Sequence, residues 1–464
     1  MIPLILEELQ EKLGPEKVLI GDSFTQRYTH VWRMDIPLQA KAVLLPTSTE
    51  DVSTIMRICH KHEQTVVVHG GLTNLVGGTE STAEDIVIST EKMTTIEEID
   101  ETSRTITVQA GVILENIHQA VSEKGLMFPL TFGAKGSAQV GGMISSNAGG
   151  LQVFRYGMTR DLVLGLEVVL ADGSVISPMK KLIKNNSGYD LKQLFIGAEG
   201  TLGIITKAVF RLREAPISRN AAFVALNSYE DVTRLLRFMD AGLAGTLSGF
   251  ELMWESTYKQ MTHNADILPP PIPYGFPYYV LLESQGSAPT QDQARLEELL
   301  EACMEKGWIE EAAFASSPSE LTWFWGIREN VDALVSSVTI DQHYDISIPT
   351  GDIGAYVAQV SSIVEKLDGV EEVYTFGHVA DGNIHFLVGK AHDDPSLTQQ
   401  INALIYERVG EMNGSISAEH GVGEDKKAYL NLCRSESEIQ LMKTLKKSMD
   451  PHNLLNRGKI LDMG

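Results

Sequence analysis

The sequence predicts an α+β protein of two domains, and three observations predict it. Strand-like and helix-like segments alternate along residues 1–215. A second set of segments, repeating in outline, fills residues 216–420. The last six segments of that set read β-α-β-β-α-β, the ferredoxin-like split pattern of an antiparallel sheet covered by helices. Residues 421–464 are left as a closing segment.

In the first domain, Ala42–Leu45 is an apolar run, and Thr49–His62 carries helical spacing behind a Ser48/Thr49 start. Thr65–His69 reads as the next strand and runs straight into Gly70-Gly71. Further strands suit Ile86–Ser89, Thr105–Gln109, Val163–Leu170 and Ile204–Leu212, with a helix over Ile113–Lys124. This layered α/β region ends near Ala215-Pro216. The second domain starts strand (Ala221–Leu226), helix (Tyr229–Asp240), strand (Ser248–Met253). After Pro269-Pro270-Pro271 come strand (Tyr278–Glu283), helix (Gln291–Lys306) and a strand near Ala312. A helix around Trp323–Leu334 precedes the split pattern itself: Asp345–Ile348, Ile353–Leu367, Val370–Gly377, Ile384–Val388, Leu397–Met412 and Ser415–Ala418. The tail is one more helix, Glu436–Met449, stopped at Asp450-Pro451.

A chain of 464 residues with 43% hydrophobic content can bury several cores. Its net charge of −23 argues against nucleic acid and anionic membrane, because no Lys/Arg stripe exists to replace counterions. An anionic substrate would need local positive charge to overcome such a surface. Cys59, Cys303 and Cys433 lie far apart with no C-x-x-C, which disfavours disulfide scaffolds, iron–sulfur clusters and thiolate zinc sites. Met1-Ile2-Pro3-Leu4, leading into Glu7-Glu8, lacks the features of a signal peptide, and no apolar run reaches spanning length. The expected location is cytoplasmic.

Four glycine clusters stand out: Gly70-Gly71-Leu72-Thr73-Asn74-Leu75-Val76-Gly77-Gly78, the run from Gly133 to Gly142, Asn147-Ala148-Gly149-Gly150, and Gly197 to Gly203. A pyrophosphate needs several N–H groups aimed at one place, and paired glycines beside Thr, Ser and Asn supply such nests. One Gly-Gly pair is more simply turn chemistry. Four clusters between Gly70 and Gly203 favour a cofactor. No G-x-G-x-x-G follows a strand and no G-x-x-x-x-G-K-[ST] occurs, which disfavours a NAD enzyme or P-loop ATPase.

The run Val68-His69-Gly70-Gly71-Leu72-Thr73-Asn74, the cluster from Gly133 to Gly142 and Asn147-Ala148-Gly149-Gly150 resemble the vanillyl-alcohol oxidase/p-cresol methylhydroxylase flavoprotein family. So do Arg155-Tyr156-Gly157, Gly165 through Gly173, and Asn186-Ser187-Gly188-Tyr189-Asp190-Leu191 with Gly197 to Gly203. The likeness spans nearly the whole chain. It implies FAD held between two α/β subdomains of p-cresol methylhydroxylase type, with the flavin facing a second, substrate-binding domain. Carried over, the cofactor residues are His69, Gly70, Gly71, Leu72, Thr73, Asn74, Gly77 and Gly78 in the first loop. Gly133, Gly136, Ser137, Gly141, Gly142, Asn147, Gly149 and Gly150 follow, then Glu199, Gly200, Gly203 and Ile205. Asn456, in the closing run Asp450 to Lys459, is the expected flavin contact there. Covalent members attach flavin through a histidine directly after the Gly-Gly; Leu72 stands there, so noncovalent FAD is expected, with His69 as the alternative tether.

Asp381-Gly382 is a strong signal for a two-residue hairpin turn. With that turn, Ala380 pairs with Asn383, Val379 with Ile384 and His378 with His385, and opposed Cβ atoms stand about 4.5–5.5 Å apart. Two imidazoles so placed can share one metal, with Zn–N bonds of about 2.0–2.1 Å. Glu419 and His420 end a predicted strand and enter the glycine loop Gly421-Val422-Gly423, where side chains are often displayed for chemistry. Alone, each segment reads equally well as a polar hairpin and an exposed acid.

Together with the flavin signature these segments resemble the metal-dependent D-2-hydroxyacid dehydrogenases of the same family, a branch that includes enzymes for D-2-hydroxyglutarate and D-lactate. The resemblance implies a divalent metal, usually zinc, on His378, His385 and Glu419, and His420 as the base. A 2-hydroxy acid can chelate such a metal, and zinc acidifies bound water from 15.7 to about 7. The metal also brings positive charge to a chain at −23. Arg328, on a helix with a Ser317/Glu320 capping box and Pro318 at its first position, offers a fork for a carboxylate; a salt bridge to Glu329 or Asp332 is its plainer fate. His343 stands where hydroxyglutarate-type relatives have Lys, Asp332 where they have Thr and Leu387 where they have Asn. Those departures shift the expected substrate, with Arg328 and His343 as its contacts, towards a D-2-hydroxy monocarboxylate such as D-lactate.

The expected function is therefore FAD- and metal-dependent oxidation of a D-2-hydroxy acid, with electrons passing to an external acceptor or electron-transfer protein. The alternatives are D-2-hydroxyglutarate dehydrogenase, a subunit of a glycolate- or lactate-oxidising complex, and a flavin-binding protein without turnover. No nucleic-acid partner and no transmembrane segment are expected, and a homodimer is compatible with the sequence.

Overall fold

Ser48 opens the first long helix as its spacing predicts. Its side chain accepts the Asp51 amide proton at 3.2 Å, and the helix runs Thr49–Lys61. The computed structural model describes residues 3–32, 37–264 and 267–463; Met1 and Ile2, part of the N-terminal stretch considered above, lie outside them. The chain divides into two units, one of them residues up to Gly149, Gly157–Ala215 and Glu419 onward, the other Gly150–Tyr156 and Pro216–Ala418.

Among the described residues the first unit carries two larger sheets and a two-stranded ribbon, Leu126–Met127 with Arg213–Glu214. In one, the buried β-branched runs Ala42–Leu44, Ile86–Ser89 and Val66–His69 lie parallel, with Val18–Leu19 antiparallel at the edge. Burial on both faces explains why these strands read as continuous apolar runs. The other sheet is antiparallel throughout, in the order Ile96–Asp100, Thr105–Gln109, Ile204–Arg211, Val163–Val169, Val175–Ile176. The closing segment rejoins the parallel sheet: Val66 donates to the Leu454 carbonyl and Asn456 to the Val66 carbonyl, each at 2.8 Å.

The second unit is a seven-stranded antiparallel sheet. Its strands are β1 (Ser218–Leu226), β2 (Leu247–Trp254), β3 (Tyr278–Gly286), β4 (Glu311–Phe314), β5 (Ile340–Ser347), β6 (Val370–Gly377) and β7 (Asn383–Lys390). Their order is β4-β1-β3-β2-β6-β7-β5. The first four strands, with helices Tyr229–Leu243 and Pro289–Glu305, form one β-α-β-β-α-β unit in the order 4-1-3-2. The remaining three repeat that order, with helices Ile353–Val364 and Pro395–Glu411, and the halves join where β2 pairs with β6.

Three expectations need correction. Ser415–Ala418 is not a strand; only Ser415 bridges β5, at Ser347. The Asp345 carboxylate takes the Ala418 N–H at 3.1 Å and the Ser417 hydroxyl at 3.2 Å, so the Ala418 amide is engaged by a side chain and not by a ladder. The helix expected over Trp323–Leu334 is two, Pro318–Arg328 and Val331–Val335. They break at Asn330, whose side chain donates to the Met261 carbonyl. The half-box at Ser317 forms, but the Glu320 carboxylate takes the Ser316 N–H rather than that of Ser317. Finally, the β6–β7 hairpin pairs Phe376, not His378, with His385. Its loop is His378–Gly382, five residues long, with Gly382 at φ 88°. A shift of two residues keeps the same face, so both histidines still meet.

Candidate active site

Glycine's lack of a side chain is required at Gly71, where a Cβ would stand 1.9 Å from the Ser137 carbonyl oxygen. That contact lays the first glycine loop against the Gly133–Gly142 run, both in the first unit. Leu72 follows at φ 57°, a left-handed conformation that Gly-rich turns impose on their neighbour. The Asn74 side-chain oxygen accepts the Val76 and Gly78 amide protons at 3.0 and 2.7 Å, which sets the loop's curvature from within. Gly133 and Gly142 have no atom within 4 Å of their missing Cβ positions. Bare backbone beside open space is the cradle a pyrophosphate or flavin needs, so the loops fit FAD.

Several residues expected at the cofactor are engaged with protein. The His69 ring is buried, with Nε2 2.8 Å from the Thr79 carbonyl oxygen, and burial lowers its pKa to about 4. The Ile205 side chain lies in the hydrophobic core. Asn456 donates to the Glu199 carbonyl at 2.7 Å and accepts from Val68 N–H at 2.9 Å. The Glu199 carboxylate takes the N–H groups of Val422 and Gly423 at 2.7 and 2.8 Å, clasping the loop that follows His420. Burial is the main influence on Glu199 and holds its pKa above the ordinary carboxylate range. Glu419 lies against the third glycine cluster: a Cβ on Gly149 would stand 2.6 Å from its Oε1.

In the second unit, His378 and His385 meet edge to face, their ring centroids 5.4 Å apart. His378 Nδ1 is 2.7 Å from Oε1 of Glu251, a residue of β2 that is 1% exposed. With the carboxylate accepting there, a neutral His378 ring carries its proton on Nδ1, the tautomer in which Nε2 would be the metal-binding atom. Glu251 Oε2 takes the Arg328 Nε proton at 2.8 Å. Arg328 therefore pairs with neither Glu329 nor Asp332 but with this acid, its guanidinium 4.7 Å over the Phe376 ring. Burial opposes ionisation of Glu251, and the adjoining His378 and Arg328 outweigh it, so its pKa lies below the ordinary range. Next to His385, on the opposing strand β5, stands the buried Asp345.

Glu419 and His420 are the first residues after Ala418, where the chain leaves this unit. Within the second unit the candidate donors are His378, His385 and Asp345, while Glu419 and His420 belong to the first unit. Imidazoles and carboxylates are ligands of the type that zinc takes, so these residue types fit a divalent metal. His343, the other expected substrate contact, is exposed, with Nε2 2.7 Å from the Asp341 carboxylate. Leu387 is buried in the core on the face of His385, and Asp332 is exposed. Sequence reasoning missed Glu251 and Asp345; the one available signal was an acid inside the apolar run Phe250-Glu251-Leu252-Met253.

Residues 215–460 match the C-terminal domain of the FAD linked oxidases, and residues 40–177 match an FAD binding domain. The chain is 35% identical to a D-2-hydroxyglutarate dehydrogenase from Stutzerimonas stutzeri, covering 99% of each chain. It is 38% identical to a putative mitochondrial D-lactate dehydrogenase from Schizosaccharomyces pombe, over 90% of this chain and 81% of that one. Among solved structures, p-cresol methylhydroxylase superimposes with a TM-score of 0.76 over 99% of this chain and 96% of that one. At 15% identity that likeness speaks to the fold alone.

Proposed function

The chain belongs to the FAD linked oxidases, in their D-2-hydroxyacid dehydrogenase branch, and from that membership we propose that its substrate is D-2-hydroxyglutarate, oxidised to the 2-oxo acid. The observation that carries a hydroxyacid site is the buried chain Arg328–Glu251–His378 beside His385. It sets a carboxylate-binding fork next to a pair of metal-type imidazoles. FAD is held noncovalently by the glycine loops, and a divalent metal, zinc by its donor set, by His378, His385 and Glu419. When bound, the flavin supplies a hydride acceptor and the metal a Lewis acid for the substrate hydroxyl. Arg328 takes the C1 carboxylate through its Nη groups, since Nε is committed to Glu251. His420 removes the hydroxyl proton as the base. Electrons leave to an external acceptor.

Besides the Stutzerimonas stutzeri protein, further relatives from Bos taurus, Arabidopsis thaliana and Danio rerio are named D-2-hydroxyglutarate dehydrogenase, which favours the dicarboxylate over the monocarboxylate expected from the sequence. A D-2-hydroxy monocarboxylate such as D-lactate stays as the second reading on one observation. His343 is tied to Asp341, and Leu387 offers no polar group, so neither is set for a second carboxylate. Anaerobic mixing with D- and L-forms of both acids, and with glycolate, tests both readings. Faster bleaching by D-2-hydroxyglutarate supports the first and faster bleaching by D-lactate the second. A flavin that stays yellow with every acid overturns the dehydrogenase itself.

A further inference from the structure

Glu251 is an acid placed where the sequence wants a hydrophobe. Phe250, Leu252 and Met253 around it are core residues, and Glu251 itself is 1% exposed. Three segments converge on its carboxylate. Strand β2 supplies the acid, the last turn of helix Pro318–Arg328 supplies Arg328, and the loop after β6 supplies His378. The two oxygens divide the work, Oε1 to His378 Nδ1 at 2.7 Å and Oε2 to Arg328 Nε at 2.8 Å. A buried ion pair retained for stability alone is a weak device, since well-packed hydrophobes of similar volume often serve as well. An imidazole on one arm and a guanidinium on the other is instead the pattern of a carboxylate that fixes functional groups.

We infer that Glu251 is a positioning residue for two partners at once, fixing the tautomer of the metal-binding His378 and the orientation of the substrate-binding Arg328. The inference rests on the reading of His378 as a ligand and of Arg328 as the carboxylate fork. Holding the imidazole proton on Nδ1 selects the tautomer whose Nε2 can bind a metal. Holding Arg328 by Nε leaves its Nη groups to face a carboxylate, with the Phe376 ring supporting the plane of the fork. The same carboxylate thus ties metal affinity to substrate grip, although it touches neither metal nor substrate.

Glu251→Gln tests this, because the substituted amide has one acceptor oxygen where two are needed. If that oxygen faces Arg328, the NH2 group faces His378 and drives the imidazole proton to Nε2, where a metal needs the lone pair. If it faces His378, the NH2 group opposes the Arg328 N–H. Zinc affinity is measured on the FAD-loaded protein by competition with a chelator, and KM for D-2-hydroxyglutarate and D-lactate is measured in saturating zinc. The expected result is at least one of two losses: zinc affinity weakened about 10–100-fold, or a KM raised about tenfold in saturating zinc. Wild-type zinc affinity and wild-type KM together overturn the inference. His378→Ala runs alongside: if it binds zinc as tightly as wild type, the ligand reading beneath the inference fails. Should Glu251→Gln not retain FAD, Glu251→Asp is read in its place. It keeps the charge but is one methylene short, so at least one of the two losses must appear, and neither appearing overturns the inference.

Discussion

His69 holds its Nε2 2.8 Å from the carbonyl oxygen of Thr79, so one buried ring ties the end of strand Val66–His69 to the far side of the first glycine loop. The imidazole is a strut inside the protein. Leu72 occupies the position after Gly70-Gly71 and has no nucleophile to offer. Acid precipitation of the flavoprotein is therefore expected to release the yellow colour into the supernatant. Colour retained in the denatured pellet would show a covalent link and return His69 to consideration.

The same burial makes acid stability depend on His69. Its pKa falls from the ordinary 6.5 to about 4 in the folded protein, first because burial penalises the charged ring. Between pH 6.5 and 4 the unfolded chain binds a proton that the folded one refuses. Stability is thus lost as pH falls through that window, by about 3 kcal/mol in total. His69→Gln keeps a donor for Thr79 and has nothing to titrate. Calorimetric unfolding at pH 7.5 and 4.5 should show a smaller drop in midpoint for the variant than for wild type; equal drops would refute the assignment.

Metal ligand and base are expected to separate on mutation. His378→Ala removes a proposed metal ligand, so metal content and activity should fall together while FAD occupancy stays near normal. His420→Ala should keep the metal and lose rate, typically by about 10²–10⁴-fold for a positioned base. Elemental analysis beside flavin-reduction rates decides it. A His420→Ala protein that loses its metal while His378→Ala keeps it would reverse the two roles.

What the sequence revealed of this site follows the range over which its determinants act. The glycine loops were legible because backbone approaches such as that of Gly71 to Ser137 tolerate only glycine, a constraint that shows in the residue type itself. His378 and His385 were legible because a hairpin joins them. Their register was misjudged by two residues, since Gly377 packs against Asn383 and Gly382 against the Ile348 carbonyl, and these contacts set a five-residue loop that dipeptide statistics do not report. Glu251 was not legible. Its partners lie 77 and 127 residues away, and only the assembled sheet brings them together. Asp345 was hidden likewise, as the carboxylate that takes the Ala418 amide and turns an expected strand into a loop.

Lys446 gives the last prediction, on how the closing segment is held. Its buried ammonium donates to the Thr201 carbonyl at 2.9 Å, the Leu455 carbonyl at 2.8 Å and the Asp450 carboxylate at 2.6 Å, so all three protons are used. Burial pulls its pKa down and the Asp450 charge pulls back. Asp450 in turn accepts the Leu454 and Leu455 N–H groups, which fixes the turn that sends Asn456 to Val68 and Glu199. Lys446→Met removes the cation and strands a buried carboxylate, so the expected cost is about 3–5 kcal/mol. The double variant Lys446→Met with Asp450→Asn should recover part of that loss, because the stranded charge is gone while an acceptor for the turn remains. Because Asn456 joins the strand that enters the first glycine loop to the fourth loop, the single variant should also release FAD at a lower temperature than wild type. Calorimetry and flavin fluorescence on heating read both effects. A Lys446→Met protein with wild-type unfolding and wild-type FAD release would mean that the closing segment is held by its apolar contacts, with Leu454 and Leu455 in the core, and not by this ammonium.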